Sequence, residues 1–94
     1  MKDSLRFDYT SVLGTLEARI DEDSRYAEVV EHFEFFVSRN KTIGDPIDRP
    51  PLVFRRFVVK IPNLRPLAFY YYIAGRGGKT IFVFRIEFAE ETPL

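Results

Sequence analysis

The spacing of apolar positions changes once along the chain, and that change divides it into two parts. From Val12 to Val37 apolar residues recur three and four positions apart, which is the repeat of a helix with one buried face. Beyond Pro51 they alternate with polar residues or form short runs rich in Val, Ile, Phe and Tyr, which is the repeat of strands. In the first part, Val12, Leu13, Leu16 and Ile20 define one helix, with Ser11 placed to cap it. "DED" at 21 to 23 interrupts the pattern, and Asp23 or Ser24 suits the start of a second helix, whose positive dipole end favours acidic side chains. Tyr26, Val29, Val30, Phe33, Phe36 and Val37 share its stripe. Asn40, Gly44 and Pro46 end it.

Residues 4 to 9, "SLRFDY", alternate weakly and predict a short first strand. "VFRRFVVKI" (53 to 61), "LAFYYYIA" (67 to 74) and "TIFVFRIEF" (80 to 88) predict three more, joined by "PNLRP" and by a glycine-rich turn. The order β-α-α-β-β-β is that of an α+β fold: a short strand and a helical hairpin packed on one face of a small antiparallel sheet. Residues 1–94 make one domain.

The turn "GRGGKT" (75 to 80) ends like a phosphate-binding loop, but Ile73 stands where that motif needs its first glycine, and a strand follows where it needs a helix. Glycines at 75, 77 and 78 fit a tight hairpin with positive φ. No nucleotide is expected there. Pairing Gly75 with Gly78, and Ile61 with Leu67, gives three rows on the inner face: Phe57-Tyr71-Phe82, Val59-Phe69-Phe84 and Ile61-Leu67-Ile86. The outer face then reads Arg56-Tyr72-Ile81, Val58-Tyr70-Val83 and Lys60-Ala68-Arg85. Tyr70 and Tyr72 with their basic neighbours form a platform of the kind that stacks bases and holds phosphates, although alternating strands also expose such residues simply as cross-strand pairs.

Composition narrows the choices. Apolar residues are 46% and charged residues 30%, a globular balance, and ten Phe with five Tyr and no Trp make the core aromatic. Fourteen basic and fourteen acidic residues cancel, so nucleic-acid binding needs a local basic patch. Without cysteine there is neither a disulfide framework nor a thiolate metal site. No apolar run reaches the ~20 residues of a membrane span. The first ten residues do not read as a secretory signal, so a cytoplasmic protein without membrane association is expected. His32 is the only histidine; Glu28 lies one helical turn before it, on the polar side of the second helix, and a lone His makes a poor metal site. Asp21, Glu22 and Asp23 suit helix capping better than a metal, so neither metal nor cofactor is expected. Phe35 points away from the apolar stripe of its helix, as either an isolated exposed ring or a contact for another chain.

The layout from residue 4 to 88 resembles the RelE/ParE superfamily of toxins of bacterial type II toxin–antitoxin systems, which place a helical hairpin before a small antiparallel sheet. The likeness is carried by "RRF" (55 to 57), by "RPLAFYYYIAGRGGKTIFVFRI" (65 to 86) with Arg85 on the closing strand, and by "NKTIGDPI" after the second helix. The resemblance implies one of two activities: binding and poisoning of DNA gyrase, as in ParE-like members, or ribosome-dependent mRNA cleavage, as in RelE-like members. For the second, it places Arg56 and Lys60 on the strand that supplies basic groups, and Arg85 on the last strand, as catalytic residues. The ribonucleases usually end in a basic or His/Tyr-bearing segment, whereas this chain ends "EFAEETPL", with Glu87, Glu90 and Glu91. The ParE-like activity is therefore the expectation, with mRNA cleavage or a non-toxic interaction module as alternatives. The resemblance also implies a cognate antitoxin as partner, with Phe35 in its contact, and allows a homo-oligomer.

Overall fold

The computed structural model describes residues 5–47 and 53–89. The chain runs β1 (Arg6–Asp8), a 3-10 turn (Thr10–Val12), α1 (Leu13–Glu22), α2 (Tyr26–Arg39), β2 (Asp45–Pro46), β3 (Arg55–Val59), β4 (Leu67–Ala74), a second 3-10 turn (Arg76–Gly78) and β5 (Thr80–Phe88). The five strands form one sheet in the order β1-β5-β4-β3-β2. The last three strands make the antiparallel meander that the two-residue repeat predicts, and β1 adds to β5 in parallel, so the sheet is mixed. The class is α+β, with the helical hairpin against one face of the sheet.

That face is the core. Tyr26, Val29, Phe33 and Val37 of α2 and Leu16 of α1 are buried against Val59, Leu67, Phe69, Tyr71, Ile81, Val83 and Ile86. Phe33 is its centre: its ring stacks on Phe69 at 4.3 Å and meets Tyr71 and Phe7 edge-on. Val30 is only partly buried, and Phe36, at 41% exposure, lies off the stripe with its ring against Phe57.

The helix starts are set by aspartates. The Asp23 carboxylate accepts from the Arg25 backbone N–H and pairs with the Arg25 guanidinium, closing the turn into α2. For α1 the cap differs from expectation. Ser11 sits inside the 3-10 turn and caps nothing; Asp8, two residues before Thr10, takes the Thr10 N–H instead. A β-strand ending in Asp can cap the turn directly after it, which shifts the cap three residues upstream.

The loop after α2 is locked onto the core by one hydroxyl. Tyr71 Oη donates to the Lys41 carbonyl at 2.8 Å and accepts from the Gly44 N–H at 3.1 Å, so a fully buried phenol is satisfied by loop backbone. Burial raises the Tyr71 pKa. Gly44 is needed here for close approach and not for a left-handed turn, since a Cβ would lie 3.0 Å from the Tyr71 ring and hydroxyl. Arg55 donates to the Thr42 and Gly44 carbonyls, and Lys41 Nζ reaches the Gly78 carbonyl of the hairpin turn.

Register is where the structure departs most from the sequence pattern. Val59, not Ile61, faces Leu67, because a turn at Pro62 to Leu64 with Asn63 at φ 64° ends β3 earlier. That shift is by two residues, and each side chain keeps its face. The β4–β5 hairpin shifts by an odd number. Gly75, Gly77 and Gly78 all have positive φ, as expected, but pairing begins only at Ala74–Thr80, so the turn holds five residues rather than two. Every β5 side chain near the turn therefore changes face. Ile81 and Val83 are fully buried, while Phe82 and Phe84, expected inside, lie on the outer face. Between Tyr70 and Tyr71 the ladder slips by one residue, since Tyr71 faces Val83 and Tyr70 faces Arg85. This β-bulge inserts Phe84 and returns Ile86 to the core.

Candidate functional site

The outer face of the sheet, opposite the helices, is covered by no described element. Its centre is a row set by strand pairing: Arg56 of β3, Tyr70 of β4 and Arg85 of β5 face one another directly. Arg56 Nε donates to the Tyr70 hydroxyl at 3.0 Å, and that hydroxyl donates to Glu87 Oε2 at 2.6 Å. Arg85 pairs with the other Glu87 oxygen at 2.8 Å. The two guanidinium carbons lie 5.8 and 5.6 Å from the Tyr70 ring centre, within cation–π range.

Beside this row lies an aromatic cluster. Tyr72 touches Phe82 (5.2 Å), Phe54 (5.6 Å) and Phe84 (6.0 Å), and Phe84 also meets Phe54 (5.1 Å) and Tyr70 (6.2 Å). The contacts are tilted or edge-on, the arrangement ring quadrupoles favour. All five rings are partly exposed. The bulge creates this surface. Without the extra residue, Phe84 and Arg85 would point to opposite faces, whereas a bulge sets two residues of one strand against one of its neighbour.

Of the residues expected here, Arg56, Tyr70, Tyr72 and Arg85 come together on the outer face. Lys60 is exposed one residue beyond β3, outside this cluster of contacts. Ile81 and Val83, expected on this face, are core residues for the parity reason above. Phe54, Phe82, Phe84 and Glu87 were not foreseen as members. For Glu87 a signal existed, since it lies two positions after Arg85 on one strand and so shares its face. The position of Phe84 depends on a bulge that no residue type marks. Glu90 and Glu91 lie outside the described residues.

The electrostatics favour holding over proton transfer. The Tyr70 hydroxyl, donating to Glu87, keeps its carboxyl below the ordinary carboxylate range, and Arg85 adds to the effect. A general base works best with a pKa near the operating pH, so this carboxylate is poorly placed for that role. The glycine turn lies between strands β4 and β5 and holds a single 3-10 turn, not the start of an α-helix that could face a phosphate. Asp23 and Glu22 are engaged with Arg25 and Arg19. Among the described residues, no group of three His, Asp or Glu side chains could hold a metal ion, and no helix is long and apolar enough to cross a membrane.

A second exposed feature lies on α2. Phe35 is 51% exposed, as its helical position predicts, with Phe36 edge-on at 5.3 Å and the Arg39 guanidinium over its ring at 4.2 Å. Glu31, His32, Phe35 and Phe36 line a shallow groove of about 380 Å³. Glu28 and His32 are both exposed, with no hydrogen bond or ion pair between them. Neither a protein-family model, nor a curated protein, nor a solved structure matches the chain.

Proposed function

We propose that this protein is the toxin of a bacterial type II toxin–antitoxin pair, acting in the cytoplasm by binding a macromolecular target through the outer face of its sheet, with DNA gyrase as the target. The observation that carries the reading is the union of five aromatic rings with Arg56 and Arg85 on a sheet face that no described element covers. Tyr, Phe and Arg are the residues that dominate binding energy at interface centres. The element order, with its helical hairpin before an antiparallel meander, agrees with the resemblance of the sequence to RelE/ParE toxins. The exposed Phe35 and Phe36 on α2 supply a separate surface for the antitoxin.

A second reading is mRNA cleavage, favoured by the chain of contacts in which Arg56 and Glu87 meet at the Tyr70 hydroxyl and Arg85 pairs with the other Glu87 oxygen. Two guanidiniums there could stabilise developing phosphate charge. The lowered Glu87 pKa weighs against it, as does the position of Lys60 outside the cluster.

Inducible expression in bacteria tests both readings. Growth arrest with protein-linked DNA breaks is the expected result; arrest with cleaved mRNA selects the ribonuclease, and unchanged growth leaves an interaction module. A folded Arg56→Ala/Lys60→Ala/Arg85→Ala variant should lose the arrest. Full toxicity in that variant would exclude this face.

A further inference from the structure

We infer that the hairpin end of the sheet, a surface separate from the outer face, is a contact for the phosphate backbone of double-stranded nucleic acid. The site itself does not depend on the target reading. Its role does, since a target that works on DNA would then be held through protein and duplex together.

Net neutrality hides a separation of charge along the chain. From Arg49 to Ile86, the span that holds β3, β4 and most of β5, there are eight basic residues and no acidic one. From Phe7 to Asp48, which holds both helices, ten acidic residues stand against four basic. Folding sharpens the division. The acidic run Asp21, Glu22 and Asp23 lies at the α1–α2 turn, where Arg25 reaches the Asn63 carbonyl of the loop between β3 and β4, at the end of the sheet away from the hairpin turn. At the hairpin turn three separate segments bring cations together. Arg76 and Lys79 stand on the turn itself and are exposed. Lys41, from the loop after α2, donates through Nζ to the Gly78 carbonyl at 2.8 Å. The backbone N–H of Arg6 donates to the Lys79 carbonyl at 2.8 Å, which sets the start of β1, with its exposed Arg6, beside the turn. Four positive charges thus meet at one end of the molecule, with the acidic run at the other, and such a field orients a polyanion toward the turn before contact.

The donors are not consumed within the chain. Among the described residues no salt bridge or hydrogen bond engages the Arg6 or Arg76 side chain, and Lys41 spends one of its three N–H donors. Of the carboxylates on neighbouring strands, Asp8 takes the Thr10 N–H, and Asp45 stands opposite Arg56 on edge strand β2. The chemistry of the turn then selects the ligand. Residues 75 to 79 are Gly, Arg, Gly, Gly and Lys, with no ring and no apolar side chain. The bases of a single strand have nothing there to stack on, and a bilayer has nothing to receive. Protein interfaces are built on aromatic anchors and are poor in Lys, whereas phosphates are the ordinary partners of Lys and Arg. A duplex carries one charge per ~1.7 Å of its axis, so a compact group of cations meets several phosphates at once. Side chains make the contact, so it needs no helix start, and it reads no sequence.

Fluorescence anisotropy of a labelled duplex of about 20 base pairs, titrated with the purified full chain, is the test. The wild type should bind, and with four cations on phosphates its affinity should fall on the order of 100-fold between about 50 and about 200 mM salt. Arg6→Gln/Arg76→Gln/Lys79→Gln should keep the wild-type circular dichroism spectrum, bind at least about tenfold more weakly at the lower salt, and retain only a roughly threefold salt dependence. The single reversal Arg76→Glu should weaken binding in the same direction, and it decides the matter should the triple variant fail to fold. A wild type that leaves the duplex unbound at the lower salt overturns the inference, as does a folded variant of either kind with unchanged affinity. So does binding that is lost in Arg56→Ala/Arg85→Ala and kept in the triple variant, which would move the anion to the outer face. An oligothymidylate bound more tightly than the duplex and lost in Tyr72→Ala, or phosphatidylserine vesicles bound in place of the duplex, overturns it in favour of a single strand or a membrane surface. The two proposals fail separately. Growth arrest by a chain that binds no duplex removes only the hairpin site, and duplex binding by a chain that arrests nothing removes only the target reading.

Discussion

Replacing Phe69 and Phe84 by Ala, one at a time, tests the strand register on which the site depends. Phe69 is fully buried, with its ring flat on Phe33 at 4.3 Å and 8°. Truncation leaves a cavity and removes the stacking partner of the central core ring, a loss of ~3–5 kcal/mol. Phe84 lies on the outer face, where its ring meets the partly exposed rings of Phe54, Tyr70 and Tyr72. Its truncation opens no cavity, and the lost ring contacts are worth ~1 kcal/mol. At an m-value near ~1.5 kcal/mol/M in urea, the first change lowers the midpoint by ~2–3 M and the second by less than ~1 M. The chain has no Trp, so tyrosine fluorescence and far-ultraviolet circular dichroism follow the transition. A domain of this size holds ~5–15 kcal/mol, so Phe69→Ala could be unfolded in water; Phe69→Leu, at ~1–2 kcal/mol, keeps the comparison measurable. Equal losses for Phe69→Ala and Phe84→Ala would refute the assigned register, and with it the aromatic site.

Tyr71→Phe leaves the Gly44 N–H and the Lys41 carbonyl without their partner, and should cost ~1–3 kcal/mol in urea unfolding with faster amide exchange in residues 41 to 44. Gly44→Ala forces a Cβ to within 3.0 Å of the same ring and should cost ~1–3 kcal/mol through overpacking. Asp23 has its pKa lowered from 3.8 to about 2, chiefly by the hydrogen bond from the Arg25 side chain. A depressed folded pKa stabilises above the unfolded value and is lost as pH falls, so its contribution should fade from pH 3.8 toward about 2 and be absent in Asp23→Asn, read from the acid limb of a melting curve. Phe35→Asp should melt within ~0.5 kcal/mol of wild type, since the ring is half exposed, while weakening antitoxin binding in a titration; unchanged affinity would leave Phe35 as an isolated exposed ring.

The sequence by itself determines the class of this fold. The change of period after Pro51 separates helical hairpin from meander, the helical repeat puts Phe33 and Val37 inside and Phe35 outside, and the glycines at 75, 77 and 78 mark a turn with positive φ. It also places Tyr70 and Tyr72 on one face, because alternation within a strand is a local property. The tertiary structure decides the rest. The length of the hairpin turn, the Asn63 turn and the bulge at Phe84 each depend on how neighbouring strands align over the helices, and pairing is not encoded by any one strand. With a side-chain period of two, an odd error in the turn carries Phe82 and Phe84 from core to surface, and one extra residue at the bulge carries Arg85 back to the face the pattern gave it. The close fit of Gly44 to Tyr71, residues 27 apart in sequence, is likewise set by packing, since nothing local to either residue requires the other.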